Sequence, residues 1–139
     1  MAQIVNFSEA AAIGIHAVLL LTSHRERALT TRRISERLGI SDHHCAKVMQ
    51  RLVHAGLVRA TRGPGGGFVL AGDPAELTIL MVFEAIEGKL EDRYCMFKVN
   101  KCPAGQCLFH ELTAGVNRTI RSYLESHNLA ELAATGALA

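Results

Sequence analysis

With 139 residues, 49% of them apolar and 20% charged, the chain has the size of one ordinary domain and enough apolar side chains to bury a core. That excludes a disordered or collagen-like polypeptide and two full-sized domains. The formal charge is only +2, but nine Lys/Arg stand against five Asp/Glu in residues 1–74 and six against eight in residues 75–139, so the front half carries +4 and the back half −2, a split that suits a nucleic-acid-contacting head on a non-contacting body.

The opening residues carry no basic segment. The apolar run from Ala10 to Leu21 is interrupted by Gly14 and His16 and is too short to span a bilayer. It reads as a buried helix, from about Ser8 to Ser23, in a soluble, cytoplasmic protein with no membrane partner. Ser8 is its candidate N-cap, and Ala11, Ile15, Val18, Leu19 and Thr22 recur at helical steps.

Residues 30–39 read as a short helix capped by Thr30 or Thr31 and closed by Gly39, with Ile34 and Leu38 inward. Ser41 caps the next helix, whose apolar stripe is Cys45, Val48, Met49, Leu52 and Val53. Its other face exposes His43, His44, Lys47, Gln50 and Arg51. Two short helices around a glycine turn, the second with a polar and basic face, predict a helix-turn-helix.

Residues 57–61 and 68–71 alternate as strands around the loop Arg62-Gly63-Pro64-Gly65-Gly66-Gly67. Helix, turn, helix and hairpin in that order predict a mainly alpha, winged helix-turn-helix fold with a two-stranded wing. In it, Ser41 sits at the start of the recognition helix, and His43, His44 and Gln50 are placed to meet base edges. Lys47, Arg51, Arg59 and Arg62 are placed to meet phosphates or minor-groove acceptors, and Gly65 and Gly66 offer backbone amides at the wing tip. The loop lacks the lysine of a nucleotide-binding loop and joins strand to strand.

A further helix is expected from Thr78 to Gly88, with Ile79, Val82, Phe83 and Ile86 inward. A long one is expected from about Gln106 to His127, striped by Leu108, Leu112, Val116, Ile120, Tyr123 and Leu124. One head cannot cover that stripe, so it predicts a homodimer through a long C-terminal dimerisation helix. The tail beyond it is expected to dock weakly or fray. The organisation is thus a DNA-binding domain over 1–88, a cysteine-rich loop over 89–107, and a dimerisation helix and tail over 108–139.

In that loop Cys95, Cys102 and Cys107 are spaced C-x6-C-x4-C, with His110 three residues on. Soft thiolates so close together in a reduced compartment predict an iron-sulfur or zinc site, and His110 can supply a fourth ligand from the same face of a helical turn. Zinc usually takes tighter CxxC pairs, so the wider spacing favours a cluster, with zinc the alternative. Cys45 reads as core. No separate nucleophile, base and acid come together, so an enzyme is not expected.

The stretches 34–41, 52–58, 62–71 and 85–88, joined to the triple-cysteine loop, resemble the IscR/NsrR family of iron-sulfur winged-helix transcription regulators, over essentially the whole chain. The resemblance implies a homodimer on a palindromic double-stranded DNA operator. It also implies a [2Fe-2S] or [4Fe-4S] cluster whose state sets DNA affinity in response to nitric oxide, redox state or iron-sulfur supply, with repression the expected action. His110 and a cross-subunit Glu9 are rival fourth ligands. The chain departs from the family in its cysteine spacing and in having Gly14, Ile15 and His16 where an arginine is usual. The competing reading is a metal-binding or thiol redox protein whose winged helix mediates protein contacts.

Overall fold

The computed structural model describes residues 2, 3, 5–91, 106–136 and 138. Within them the order is α1 (Glu9–Ser23), α2 (Thr31–Leu38), α3 (Asp42–His54), β1 (Val58–Thr61), β2 (Gly67–Leu70), α4 (Ile79–Glu87), α5 (His110–Ser126) and α6 (Leu129–Ala134). The mainly helical, winged helix-turn-helix architecture expected from the sequence is present.

Short polar side chains set where the helices begin. Ser8, Thr30, Ser41, Thr78 and Asn128 each accept an N–H from the residue three positions on, satisfying a donor that has no partner inside the helix. Ser8, Thr30 and Ser41 are among the caps expected from the sequence, and Thr78 stands where a helix was expected to begin.

α1 is the centre of the molecule, with α3, α4 and α6 packed around it. Its buried face takes in Ala11, Ile13, Gly14, Ala17, Val18, Leu20 and Leu21, broader than the expected stripe, of which Ile15 and Leu19 are only half-buried. At Gly14 a Cβ would lie 3.0 Å from Ile86 Cγ1 and 3.5 Å from Val48 Cγ1. Absence of a side chain there lets α3 and α4 close on α1 at one point.

The turn between α2 and α3 is organised by Ser35, buried although polar. Gly39 takes φ 67, and both its N–H and that of Ile40 donate to the Ser35 carbonyl. The Ser35 hydroxyl meets the Arg32 carbonyl at 2.9 Å and the Asp42 carboxylate in the first turn of α3. Asp42, expected only to favour the helix dipole, also ties the two helices together.

The wing is an antiparallel pair in the register Val58↔Leu70, Arg59↔Val69, Ala60↔Phe68 and Thr61↔Gly67. It is anchored on its free edge: Leu29 N–H donates to the Phe68 carbonyl at 3.0 Å and Phe68 N–H to the Leu29 carbonyl at 2.8 Å. The residues leading into α2 therefore act as a third, one-residue strand.

One C-terminal expectation changes and another is narrowed. The helix expected over 106–127 begins at His110, after Phe109, which offers no side-chain cap. Of docking and fraying, both expected for the tail, the described residues 129–136 show docking. Leu129 is fully buried in α6, its N–H donates to the Leu77 carbonyl at 2.9 Å, and Ile79 N–H donates to the His127 carbonyl at 3.0 Å. Two apolar residues, Leu129 and Leu132, were too few to show a period, and the decisive bonds run backbone to backbone.

At Gly67, φ is 144 and a Cβ would lie 2.6 Å from Leu29 backbone atoms. Gly67→Ala should lower stability in urea titration by ~2–3 kcal/mol. Gly39→Ala, with nothing within 4 Å, should cost only the left-handed conformation, about 1–2 kcal/mol. Burial, with the Asp42 charge second, pushes the Cys45 thiol up to about 11. At pH 8 the native protein should leave Cys45 unalkylated by iodoacetamide until denaturant is added, as peptide mapping would show.

Candidate nucleic-acid interface and cysteine segment

On α3, His43, Lys47 and Gln50 are exposed and, at steps of four and three residues, share one narrow arc of the helix. His54, also exposed, continues that arc. It was not included among the residues expected on this face, although its spacing from Lys47 and Gln50 places it there. Ser41 stands at the entry to the helix, its hydroxyl accepting the His44 N–H at 3.1 Å.

His44 and Arg51 occupy the flank of this arc and engage the rest of the head. His44 Nδ1 is 3.9 Å from Glu9 Oε2 at the start of α1. Arg51 Nη1 donates to the Ile86 carbonyl at 3.2 Å, in the last turn of α4. The expected phosphate ligand thus holds α3 against α4, a contact that one-dimensional spacing does not reveal.

In the wing, Arg59 on β1 and Arg62 in the loop are both exposed. Gly63 and Gly65 take φ 87 and 75, which the reversal of chain direction requires. Gly66 N–H is used inside the loop, donating to the Gly63 carbonyl at 2.9 Å. A Cβ on Gly66 would lie 2.6 Å from the Thr61 carbonyl oxygen. Of the two tip glycines, Gly66 shapes the turn and Gly65 is exposed at its apex.

Cys95 and Cys102 lie outside the described residues. Cys107 is exposed, and His110 is exposed as the first residue of α5. Cys107 therefore precedes the helix, so the pair does not share the face of a helical turn that their spacing suggested. Among the described residues no three His, Cys, Asp or Glu side chains come together as a metal site. The donor chemistry still fits a soft metal centre: the sequence holds three thiols within thirteen residues, and the His110 imidazole and Glu9 carboxylate are exposed donors.

The segment bearing the cysteines is tied at its start. Glu84 Oε2 accepts the Leu90 N–H at 2.9 Å, and Asn117 Nδ2 of α5 donates to the Glu91 carbonyl at 2.9 Å. One turn away, Glu87 accepts the Ser8 hydroxyl and Ile86 accepts Arg51. The last turn of α4 thus touches α1, α3 and the entry to the cysteine segment.

No helix among the described residues is long and apolar enough to cross a membrane. The family profile of Rrf2, described as an iron-dependent transcriptional regulator, matches residues 7–135. The chain is 40% identical over 96 residues to the HTH-type regulator NMA1593 of Neisseria meningitidis, covering 69% of this chain and 65% of that protein. It is 38% identical over 100 residues to the HTH-type transcriptional regulator IscR of Aliivibrio salmonicida, covering 71% and 59%. The matched stretch thus spans somewhat less than two thirds of these relatives.

The fold is similar to that of CymR, the global cysteine regulator of B. subtilis, with a TM-score of 0.78, 23% identity, and coverage of 95% of this chain and 98% of that one. It is also similar to T. potens IscR, with a TM-score of 0.76, 25% identity, and coverage of 96% and 89%. With the family match running over nearly the whole sequence, the chain belongs to the Rrf2 family, a family of regulators and not of enzymes.

Proposed function

We propose that the chain is a transcriptional regulator that binds a palindromic double-stranded DNA operator as a homodimer, and that an iron-sulfur cluster sets its affinity. The observation that carries the DNA reading is the exposed arc of His43, Lys47 and Gln50 on α3, set beside an anchored wing bearing Arg59 and Arg62. In this reading His43 and Gln50 meet base edges in the major groove. Lys47 neutralises a phosphate, the Ser41 hydroxyl and Gly65 amide add backbone contacts, and Arg59 and Arg62 enter the minor groove. Arg51 and Gly66 position these groups.

Dimerisation is supported by α5, which leaves Leu112 and Tyr123 each 62% exposed, with Leu108 just before it at 86%. A second copy on this face would cover an apolar strip of a kind monomers seldom leave bare.

Cys95, Cys102 and Cys107 would hold the cluster, with His110 or the partner copy's Glu9 completing the ligands. When bound, such a cluster supplies redox and nitric-oxide reactivity. The last turn of α4 offers the mechanical route: rearrangement of the cysteine segment pulls on Leu90 and Glu91, and through Arg51 on α3. The expected outcome is repression released by nitric oxide, oxidation or loss of the cluster. A zinc site on the same thiols is the competing assignment.

Lys47→Ala should weaken all duplexes alike and reduce the slope of log K against log salt by ~0.9, measured by fluorescence anisotropy. Arg51→Met should leave that slope nearly unchanged while lowering stability by about 1–2 kcal/mol through the unpartnered Ile86 carbonyl. Equal affinity for selected and random duplexes would sink sequence reading.

Anaerobically purified protein should contain iron and acid-labile sulfide and absorb in the visible, and Cys107→Ala should lose all three. Of His110→Ala and Glu9→Ala, the one that shifts the spectrum identifies the fourth ligand. Zinc without sulfide would replace the cluster assignment. Cysteine variants that bind DNA as the loaded protein does would overturn the coupling.

A further inference from the structure

α2 turns Ser35 toward α3. Arg33 and Arg37 lie on the opposite flank, about 160° around the helix axis. There, between α2, the end of α1 and the chain leading to Leu29, is a groove of about 360 Å³. Arg27, Arg33, Arg37 and His24 line its walls, Leu20 and Leu29 its floor, and Glu36 stands at its side.

The guanidinium groups of Arg27 and Arg33 flank a concavity whose acid, Glu36, is paired with another residue: Arg32 Nε donates to Glu36 Oε1 at 2.9 Å. The cationic wall also runs against the interests of α2. Its first turn contains no acid and carries Arg32 and Arg33, where the helix dipole favours negative charge. That cost is offset by an anion held in the groove.

The floor fixes the other half of the ligand. Leu20 and Leu29 line the groove between the charged walls, so a molecule seated there meets hydrocarbon below and guanidinium forks at the rim. Those forks match the planar oxygens of carboxylate or the tetrahedral oxygens of phosphate, and the volume is that of a small-molecule site. His24 has one ring nitrogen engaged, Nδ1 lying 3.0 Å from the Leu20 carbonyl. That leaves Nε2 for a ligand. A DNA backbone is a poorer match: the groove is concave, and its wall lies on the side of α2 opposite α3.

We propose that this groove is a binding site for a small organic anion with a carboxylate or phosphate head and an apolar body. Occupancy bears on the wing, because Leu29 in the floor is bonded in both directions to Phe68 of β2. The site shares no residue with the cysteine segment and does not depend on a cluster.

The test is methyl NMR on the full chain, titrated with phenyl phosphate and with benzoate and compared with sodium chloride at equal ionic strength. The expected result is a saturable shift of Leu20 and Leu29 methyls with at least one probe. Arg33→Met and Arg27→Met should each weaken it about tenfold, the scale of one lost charge-assisted hydrogen bond, while Arg118→Met on α5 should not. Thermal melts establish that each variant is folded. Shifts that fail to saturate, or that are equal in all variants, overturn the proposal. So does perturbation of these methyls by duplex DNA alone, which would make the surface a phosphate-backbone contact. Because the readout is direct binding of a small probe, its failure leaves the operator and cluster readings standing.

Discussion

The angle between α2 and α3 depends on one buried serine. Ser35 receives two backbone N–H groups from the glycine turn through its carbonyl and meets the Asp42 carboxylate through its hydroxyl. A polar group out of reach of water is costly unless partnered, so these contacts hold as a set or fail as a set. Helix-turn-helix geometry is therefore nearly all-or-none: α3 presents its arc at one inclination, and the wing follows because Leu29, at the other end of α2, is bonded to β2. Removing the Ser35 hydroxyl would release the start of α3 while leaving the apolar core under it intact.

A second constraint is the crowding at the end of α4. Gly14 admits Ile86 to within contact of α1, and the carbonyl of that residue receives Arg51. The turn that closes the core is also the turn that orients the recognition helix and leads into the cysteine segment. Packed interiors respond to displacement by switching between arrangements rather than by yielding smoothly. On the function proposed for the chain, this makes α4 a better transmitter than a flexible linker.

Much of this was legible in the sequence because local rules act locally. Ser8, Thr30 and Ser41 are caps by their chemistry, Gly39 ends a helix by its freedom at positive φ, and the stripe of Cys45, Val48, Met49 and Leu52 states its own burial. What was missed depends on partners that residue spacing alone does not specify. No pattern within α3 reveals that Arg51, expected at a phosphate, also bonds the Ile86 carbonyl. Gly66 looked like an open amide because its acceptor, Gly63, comes from how the loop folds. Docking and fraying stayed open for α6 because its attachment, through Leu129 to Leu77 and His127 to Ile79, is made by backbone groups that every residue carries. Cys107 and His110 looked like one helical face because three-residue spacing implies it only where a helix exists, and α5 starts too late.

The bond pair between Leu29 and Phe68 changes what kind of object the wing is. A free two-stranded hairpin has marginal order in water, and ordering it on contact with DNA would subtract conformational entropy from binding. Anchored along its edge, the hairpin meets DNA with its shape already decided. A stiff tip does not mould itself to the groove, so the groove must widen or narrow to suit it. That deformation differs from one base sequence to the next, so on the proposed reading the wing discriminates among sequences by the work of bending them, including at base pairs it never touches.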